Sequence, residues 1–345
     1  MDRALLLVAD LERVPMVLRG HADAARERLA IPGAINSPRR IVLTGLGSSR
    51  FAALVVAPAF LAAGLEVIVE HASTIQPAPI GPGTLLVPIS SSGRTPETVA
   101  AAERGGRAGA AVLAITNQSV SPLAAAADAV LPLRAGDETS GIASVTYAAT
   151  VAALCRLAAS LGVRLDAGPL LEDAAANVES VLASRAAWKG WAADILGTGA
   201  AVHLLADAAA LGTAEQAALL FREGPRINAD VTDAGDWLHV GLYTALPGYR
   251  AVLLSGTQYD DELVEVIHGR GGKIVTVGTA GPGTAGPGAG PGAGPSAADL
   301  RIPVPMAHSR GLQAAFAEPM ALALIAAELW ARAHATDRED PDRLA

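Results

Sequence analysis

Leu85-Leu86-Val87-Pro88-Ile89-Ser90-Ser91-Ser92-Gly93-Arg94-Thr95-Pro96-Glu97-Thr98 is the stretch that decides the fold. Residues 85–89 form an apolar run of strand length and predict a short buried strand. The run breaks into hydroxyl residues around Gly93, and Glu97 opens an Ala-rich stretch with helical character. A strand that empties through a small-residue loop into a helix N-terminus makes an anion site. Free N–H groups and the positive end of the helix dipole meet there. Ser90, Ser92, Thr95 and Thr98 add hydroxyl donors without bulk, which suits a phosphate monoester. From this stretch alone the alternative is a capped turn, with Ser or Thr satisfying the first helical N–H groups.

A second copy of the signal lies upstream. Ile41-Val42-Leu43-Thr44-Gly45-Leu46-Gly47 is again a strand ending in glycines, Ser48-Ser49 follow, and 51–63 reads as an apolar helix. Two such units make neighbouring βα units of one parallel sheet, with both loops at its carboxyl edge, where open α/β folds bind ligands. Neither loop has the Gly-Lys-Ser/Thr of a P-loop, nor is there a Gly-x-Gly-x-x-Gly with a later ribose-binding acid. Serine-rich loops of this kind suit a sugar phosphate better than a nucleoside triphosphate.

Gly45-Leu46-Gly47-Ser48-Ser49 and Ile89 through Thr98 resemble the signature loops of the sugar isomerase (SIS) family. The layout is similar to the isomerase half of the family's glucosamine-6-phosphate synthases, and to the related sugar-phosphate deaminases and deglycases. The resemblance implies an α/β fold of two tandem doubly wound parallel-sheet domains, flavodoxin-like in type. It implies a substrate-binding set of Gly47, Ser48, Ser49, Ser90, Ser91, Ser92, Thr95, Glu138 and Ser144. Glu223, at the end of a helix read over 215–223, stands where the family has the C1–C2 base. His239, in Gly235-Asp236-Trp237-Leu238-His239, stands where the family's ring-opening histidine lies. In relatives that histidine reaches the neighbouring subunit's site, so a homodimer is expected. No cofactor is implied. Unaided, Glu223 reads as an acid unfavourably placed at a helix C-terminus, and His239 as an ordinary histidine ending a polar loop from Asn228.

The departures from the family pattern concern lysines. Asp340-Pro341-Asp342-Arg343-Leu344-Ala345 lacks the lysine that follows this run in the synthases, and Ala143-Ser144-Val145-Thr146 replaces an Ala-Ser-Thr-Lys helix start. Asp236 and Val240 stand where glutamate and glycine are usual. The expected activity is isomerase- or deaminase-like on a ketose or aminosugar 6-phosphate, without glutaminase activity. The alternative is a sugar-phosphate sensor with no turnover.

Composition narrows the classes. The 345 residues are 51% hydrophobic and 17% charged, enough for a large core in two domains. A net charge of −8 with no basic run argues against nucleic acid and anionic membranes as partners. Cys155 is the one cysteine and sits among apolar residues, so it reads as core, and a cytoplasmic origin is expected. Mean hydropathy is +0.36, carried largely by alanine. The run Phe51–Leu65 is too short to span a bilayer, and no signal-peptide pattern opens the chain. The histidines show no metal spacing, and no metal is expected.

Along the chain, 1–37 is expected as an N-terminal helical segment ended by Pro32-Gly33, and 38–165 as the first domain, with strands at 41–44, 67–70, 85–89, 111–115 and 129–133. The second domain is expected over 166–335, opening with a linking helix at 166–188 and carrying strands near 201–205, 251–255, 273–277 and 302–305. Ala206-Asp207-Ala208 there replaces the glycine-serine loop, so one phosphate site per chain is expected. Residues 278–298 form a Gly-Pro-Ala tract read as surface loop, 319–335 an apolar helix for a core or dimer seam, and 336–345 a polar extended tail.

Overall fold

The computed structural model describes residues 2–27, 29, 38–197, 199, 201–278, 298–305 and 311–339. They form two compact units: Arg13–Glu138 with Ala143–Ala175, and Met1–Glu12 with Thr139–Ile142 and Ala176–Ala345. The N-terminal segment is a single helix, α1 (Arg3–Ala24), that continues through Pro15. It is not a separate layer, because its halves belong to different units. Asp10 accepts from the Thr139 and Ser140 N–H groups at 3.2 and 2.8 Å, within one unit. Arg13 donates to the carbonyls of Asp137 and Ala135 at 2.6 and 2.7 Å, within the other. The expected stop at Pro32-Gly33 lies outside the described residues.

The unit that begins at Arg13 is built on β1 (Arg40–Gly45), α2 (Ser48–Ala62), β2 (Glu66–His71), β3 (Thr84–Pro88), α3 (Pro96–Arg107), β4 (Ala111–Thr116), α4 (Pro122–Ala125), β5 (Ala129–Pro132) and α5 (Val145–Ser160). Its five parallel strands are ordered β2-β1-β3-β4-β5. β3 and β4 are buried at every position and β1 at all but its first, which their unbroken Val/Ile/Leu/Ala runs dictate: a central parallel strand is covered on both faces. β2 and β5, at the edges, carry partly exposed residues. Val42, Leu86, Ala102, Val112, Ala114 and Leu123 form one core layer beneath α3 and α4.

After α6 (Ala167–Ser184), a 3₁₀ turn at Arg185–Ala187 and α7 (Lys189–Leu196) divide the expected linking helix. The second sheet follows, with β6 (Ala201–Ala206), α8 (Leu211–Glu223), β7 (Asn228–Asp233), α9 (Ala234–His239), β8 (Arg250–Leu254), α10 (Asp260–Gly269), β9 (Lys273–Gly278), β10 (Leu300–Pro303) and α11 (Ala314–Glu339). Its order, β10-β9-β8-β6-β7, is the first sheet's order repeated, with β6 and β7 in the places of β1 and β2. Both are the flavodoxin-like arrangement. The stretch 228–239 is therefore strand and helix where a polar loop was expected. β7 is an edge strand with Asn228 and Asp230 exposed, and its pairing with β6 supplies what its polar sequence lacks.

α11 packs on α7, α8 and β9. Among the described residues its span Ala314–Ala333 is long and apolar enough to cross a membrane, but 89% of that window is buried, as in a core helix. The helix extends to Glu339, so four residues of the expected tail are helical; 340–345 lie outside the described residues, as does the Gly-Pro-Ala tract beyond Gly278 apart from Ala298.

Candidate phosphosugar site

The order in which strands are added reverses between β1 and β3 of the first sheet, and the loops that leave those parallel strands open the switch-point crevice predicted for this topology. A cavity of about 330 Å³ sits there. Ser49 reaches it from the start of α2, and Ser90, Ser91, Ser92 and Thr95 from the β3–α3 loop. Ser90 and Thr95 share a hydroxyl–hydroxyl bond of 3.0 Å. The Ser92 hydroxyl accepts the Arg94 N–H at 3.2 Å. Thr95 is the residue before α3 and makes no side-chain capping bond to it, so the capped-turn reading does not describe this loop. Thr98 lines the cavity fully buried, and its Oγ1 has no partner. An orphan hydroxyl beside a crevice of hydroxyls marks a place for an acceptor-rich guest.

Gly93 fixes the loop. It takes a φ of 62°, and a Cβ there would stand 2.3 Å from Ser121 Oγ and 2.9 Å from Thr116 Oγ1. The loop is tied down by the Thr116 hydroxyl, which donates to the Ser91 carbonyl at 3.2 Å, and by the Leu123 N–H, which donates to the Gly93 carbonyl at 3.0 Å, while Ser121 caps α4 beside it. Gly47, at φ 50° and ψ −128°, likewise starts α2 in a conformation open only to glycine. Gly47 and Ser48 do not line the cavity, and exposed Arg94 does not reach it.

Glu138 borders the same cavity, yet its carboxylate is already engaged. It accepts the N–H groups of Ser144, Val145 and Thr146 at 3.0, 2.9 and 3.1 Å, and also both hydroxyls of Ser144 and Thr146. The acid thus caps α5, where its charge meets the positive helix end. Ser144 is buried, bonded to Glu138 and absent from the cavity wall. Residues outside the expected binding set also line the wall: Gln118 and Asp137, with Asn117 and Thr146. Asn117 is held by its amide, donating to the Gly136 carbonyl at 2.7 Å and accepting the Ala135 N–H at 3.1 Å. The signal for Gln118 was position, since it follows β4 at the same sheet edge.

In the other unit, Glu223 is the last residue of α8 and borders a cavity of about 560 Å³ with Arg3, Arg222, Arg226 and Asn228. Partial burial holds its carboxyl above the usual carboxylate range, although the residue as a whole is exposed. Among the described residues it has no ion-pair partner. Arg226 follows in a left-handed conformation, φ 58°. His239 ends α9 and is exposed. Glu223 precedes β7 and His239 follows it, so six residues of strand, about 17 Å, lie between their two ends of the sheet. His239 does not line the cavity that Glu223 borders.

The second sheet has its own crevice position, after β6 and β8. Asp207 stands there, accepting the Ala209 N–H at 2.8 Å. In the loop after β8, the Gly256 and Thr257 N–H groups donate to the Asp260 carboxylate at 2.7 and 3.0 Å, and the Thr257 hydroxyl at 2.6 Å. The donors a phosphate would use are taken by an internal acid. Cys155 is buried, with its thiol pushed up to about 12. Among the described residues no three His, Cys, Asp or Glu gather as a metal site would require.

Residues 34–161 match the SIS domain family. A glutamine–fructose-6-phosphate aminotransferase [isomerizing] of Pyrococcus horikoshii is 29% identical over 258 residues, covering 69% of this chain and 42% of that protein. The chain spans less than half the length of this and a similar Aeropyrum pernix relative. The C-terminal domain of the Francisella tularensis glucosamine-fructose-6-phosphate aminotransferase superposes with a TM-score of 0.77 at 18% identity, covering 94% of this chain and 96% of that one. Tagatose-6-phosphate ketose/aldose isomerase of Escherichia coli gives 0.77 at 18%, covering 95% and 92%. With the serine loops at the switch point and the strand order repeated in both units, these matches place a SIS domain at residues 34–161, in a chain whose fold is similar to that of the C-terminal domain of a glucosamine-fructose-6-phosphate aminotransferase.

Proposed function

We propose that the chain is an enzyme that holds a ketose or aminosugar 6-phosphate by its phosphate in the Ser90–Thr95 loop. Its reaction is aldose–ketose proton transfer, coupled to making or breaking a C–N bond. The observation that carries this is the hydroxyl-lined cavity at the β1/β3 switch point, with the unpartnered Thr98 hydroxyl in its wall. Its donors are neutral, as suits a phosphoryl group in a chain of net charge −8 without a general positive field. The names of the relatives, a glutamine–fructose-6-phosphate aminotransferase and a tagatose-6-phosphate ketose/aldose isomerase, support the substrate class.

Glu223 is the proposed base. It removes the proton from one of C1 and C2 and returns it to the other through an enediol or enolamine, with no net proton change. A carboxyl held above its usual pKa is a better-matched base near neutrality than an ordinary one. His239 is the proposed ring-opening group, moving a proton at the ring oxygen. The separation of the two residues by β7 supports a homodimer in which each chain lends His239 to its partner's site. Cytoplasmic sugar metabolism is the setting this reading implies.

The test is solvent-proton exchange at C1 or C2. Glu223→Gln keeps the side-chain shape, so phosphosugar binding should persist while exchange falls by about 10²–10⁴-fold. A thermal-shift comparison of hexose and hexosamine 6-phosphates identifies the sugar, since a ligand at a hundred times its Kd stabilises by about 2.7 kcal/mol. Equal, slow exchange in wild type and variant with every sugar that binds would leave the sensor reading in place.

A further inference from the structure

The first sheet's unit has a second cavity, about 170 Å³, against the edge strand β5 and sharing no wall residue with the phosphosugar cavity. Its floor is apolar, from β4 and β5; its polar groups are Glu27, Arg134 and Arg156. Arg156 is the anomaly. It sits within the Ala/Leu-rich α5 at 4% exposure. Its Nη2 donates to the Ala24 carbonyl at 2.9 Å, while Nε and Nη1 are closed to solvent and unpartnered. A guanidinium remains charged in proteins, so two idle donors on a buried cation call for an acceptor.

Three further features point the same way. Arg134 leaves β5 with φ 51°, a backbone conformation rare for a residue with a side chain, and strain of this kind clusters at ligand sites. Its ion-pair partner among the described residues, Glu27, is 3.9 Å away with both side chains well exposed, a contact of little strength. His21 is fully buried nearby, its Nε2 2.7 Å from the Leu133 carbonyl and its Nδ1 without a partner. Burial first, and then the charges of Arg156 and Arg134, hold it down to about 4, so it adds no charge at neutral pH. Two cations against one exposed acid leave the cavity with a net positive wall.

We propose that this cavity is a binding site for a small anion, a carboxylate or a phosphate, clasped by Arg134 and drawn by the buried positive charge of Arg156. Both anion classes present paired oxygens that match the fork of a guanidinium. The apolar floor and the small volume admit a compact ligand. An ordered water bridging Arg156 is the competing occupant.

Binding of inorganic phosphate and of acetate to the full chain, followed separately by calorimetry, distinguishes the two classes. Phosphate should bind in two phases. Ser92→Ala should weaken one, belonging to the serine loop, and leave the other. Arg134→Ala, at an exposed residue, should weaken the second by at least about tenfold, the scale of one lost charge-assisted bond, and leave the first. Arg134→Lys should restore part of it, and Arg156→Met should repeat the loss. A crystal soaked in bromide should show the halide against Arg156. Binding curves unchanged by Arg134→Ala, or a soaked crystal with water alone beside Arg156, overturn the proposal. If Arg156→Met fails to fold, Arg134→Ala and the soak decide.

Discussion

His21 is neutral in the folded protein at any pH above about 4, whereas the unfolded chain protonates it near 6.5. The unfolded state thus takes up a proton first as pH falls. Stability should be full above pH 6.5 and decline down to about 4, by up to about 3 kcal/mol. Urea titrations across this range should show the loss, and His21→Gln, which retains a donor toward Leu133, should flatten it. Asp10 acts in a separate window. Burial raises its pKa, but hydrogen bonds from Ser140 and Thr139 outweigh that and hold it below 3.8, so its contribution is lost only in stronger acid. In the phosphate loop, Ser92→Ala should weaken sugar-phosphate binding by roughly 1–3 kcal/mol, the usual cost of a hydrogen bond to a charged group. Unchanged affinity by calorimetry would remove Ser92 from the site.

Elements transmit these residue effects through a few fixed points. α5 begins on the Glu138 carboxylate, which gathers three backbone N–H groups and two hydroxyls. Glu138→Gln keeps one acceptor and turns an amide donor toward the others, so urea unfolding should show a loss of about 2–4 kcal/mol. The β3–α3 loop depends on Gly93, where a methyl group would meet Ser121 and Thr116. Gly93→Ala should abolish tight sugar-phosphate binding while far-ultraviolet circular dichroism stays near wild type. These elements were unevenly legible. Strands with unbroken apolar runs, such as Leu85–Val87 and Ile41–Leu43, announce themselves because a doubly covered strand can carry nothing else. β7 could not be read, since Asn-Ala-Asp-Val-Thr-Asp becomes a strand only by pairing with β6, where Asp230 meets His203 at 2.6 Å. Ser90 to Thr95 were visible as a site from their chemistry. The capping role of Glu138 was not, because it depends on a loop that folds back over six residues. α1 hid its division between two units because periodicity reports a helix, not its partners.

At the scale of the whole molecule, the same five-strand order occurs twice with different outcomes. If each chain lends His239 across a dimer, chains carrying Glu223→Gln and His239→Asn should complement each other. A hybrid dimer then has one site with both native residues, so an equimolar mixture after refolding should recover about one quarter of wild-type turnover. Light scattering should give a dimer mass; a monomer with full activity would remove the composite site. The silent crevice of the second sheet carries a different lesson. Asp260 is a competitor tethered in place, and a tethered group acts at an effective concentration no dissolved rival reaches easily. The loop after β8 therefore behaves as a lock with its key built in. Shortening that acid to alanine would free two N–H groups and a hydroxyl at the mouth of a sheet already wound for the purpose. A single substitution would open in this half of the chain the kind of anion site proposed for its twin.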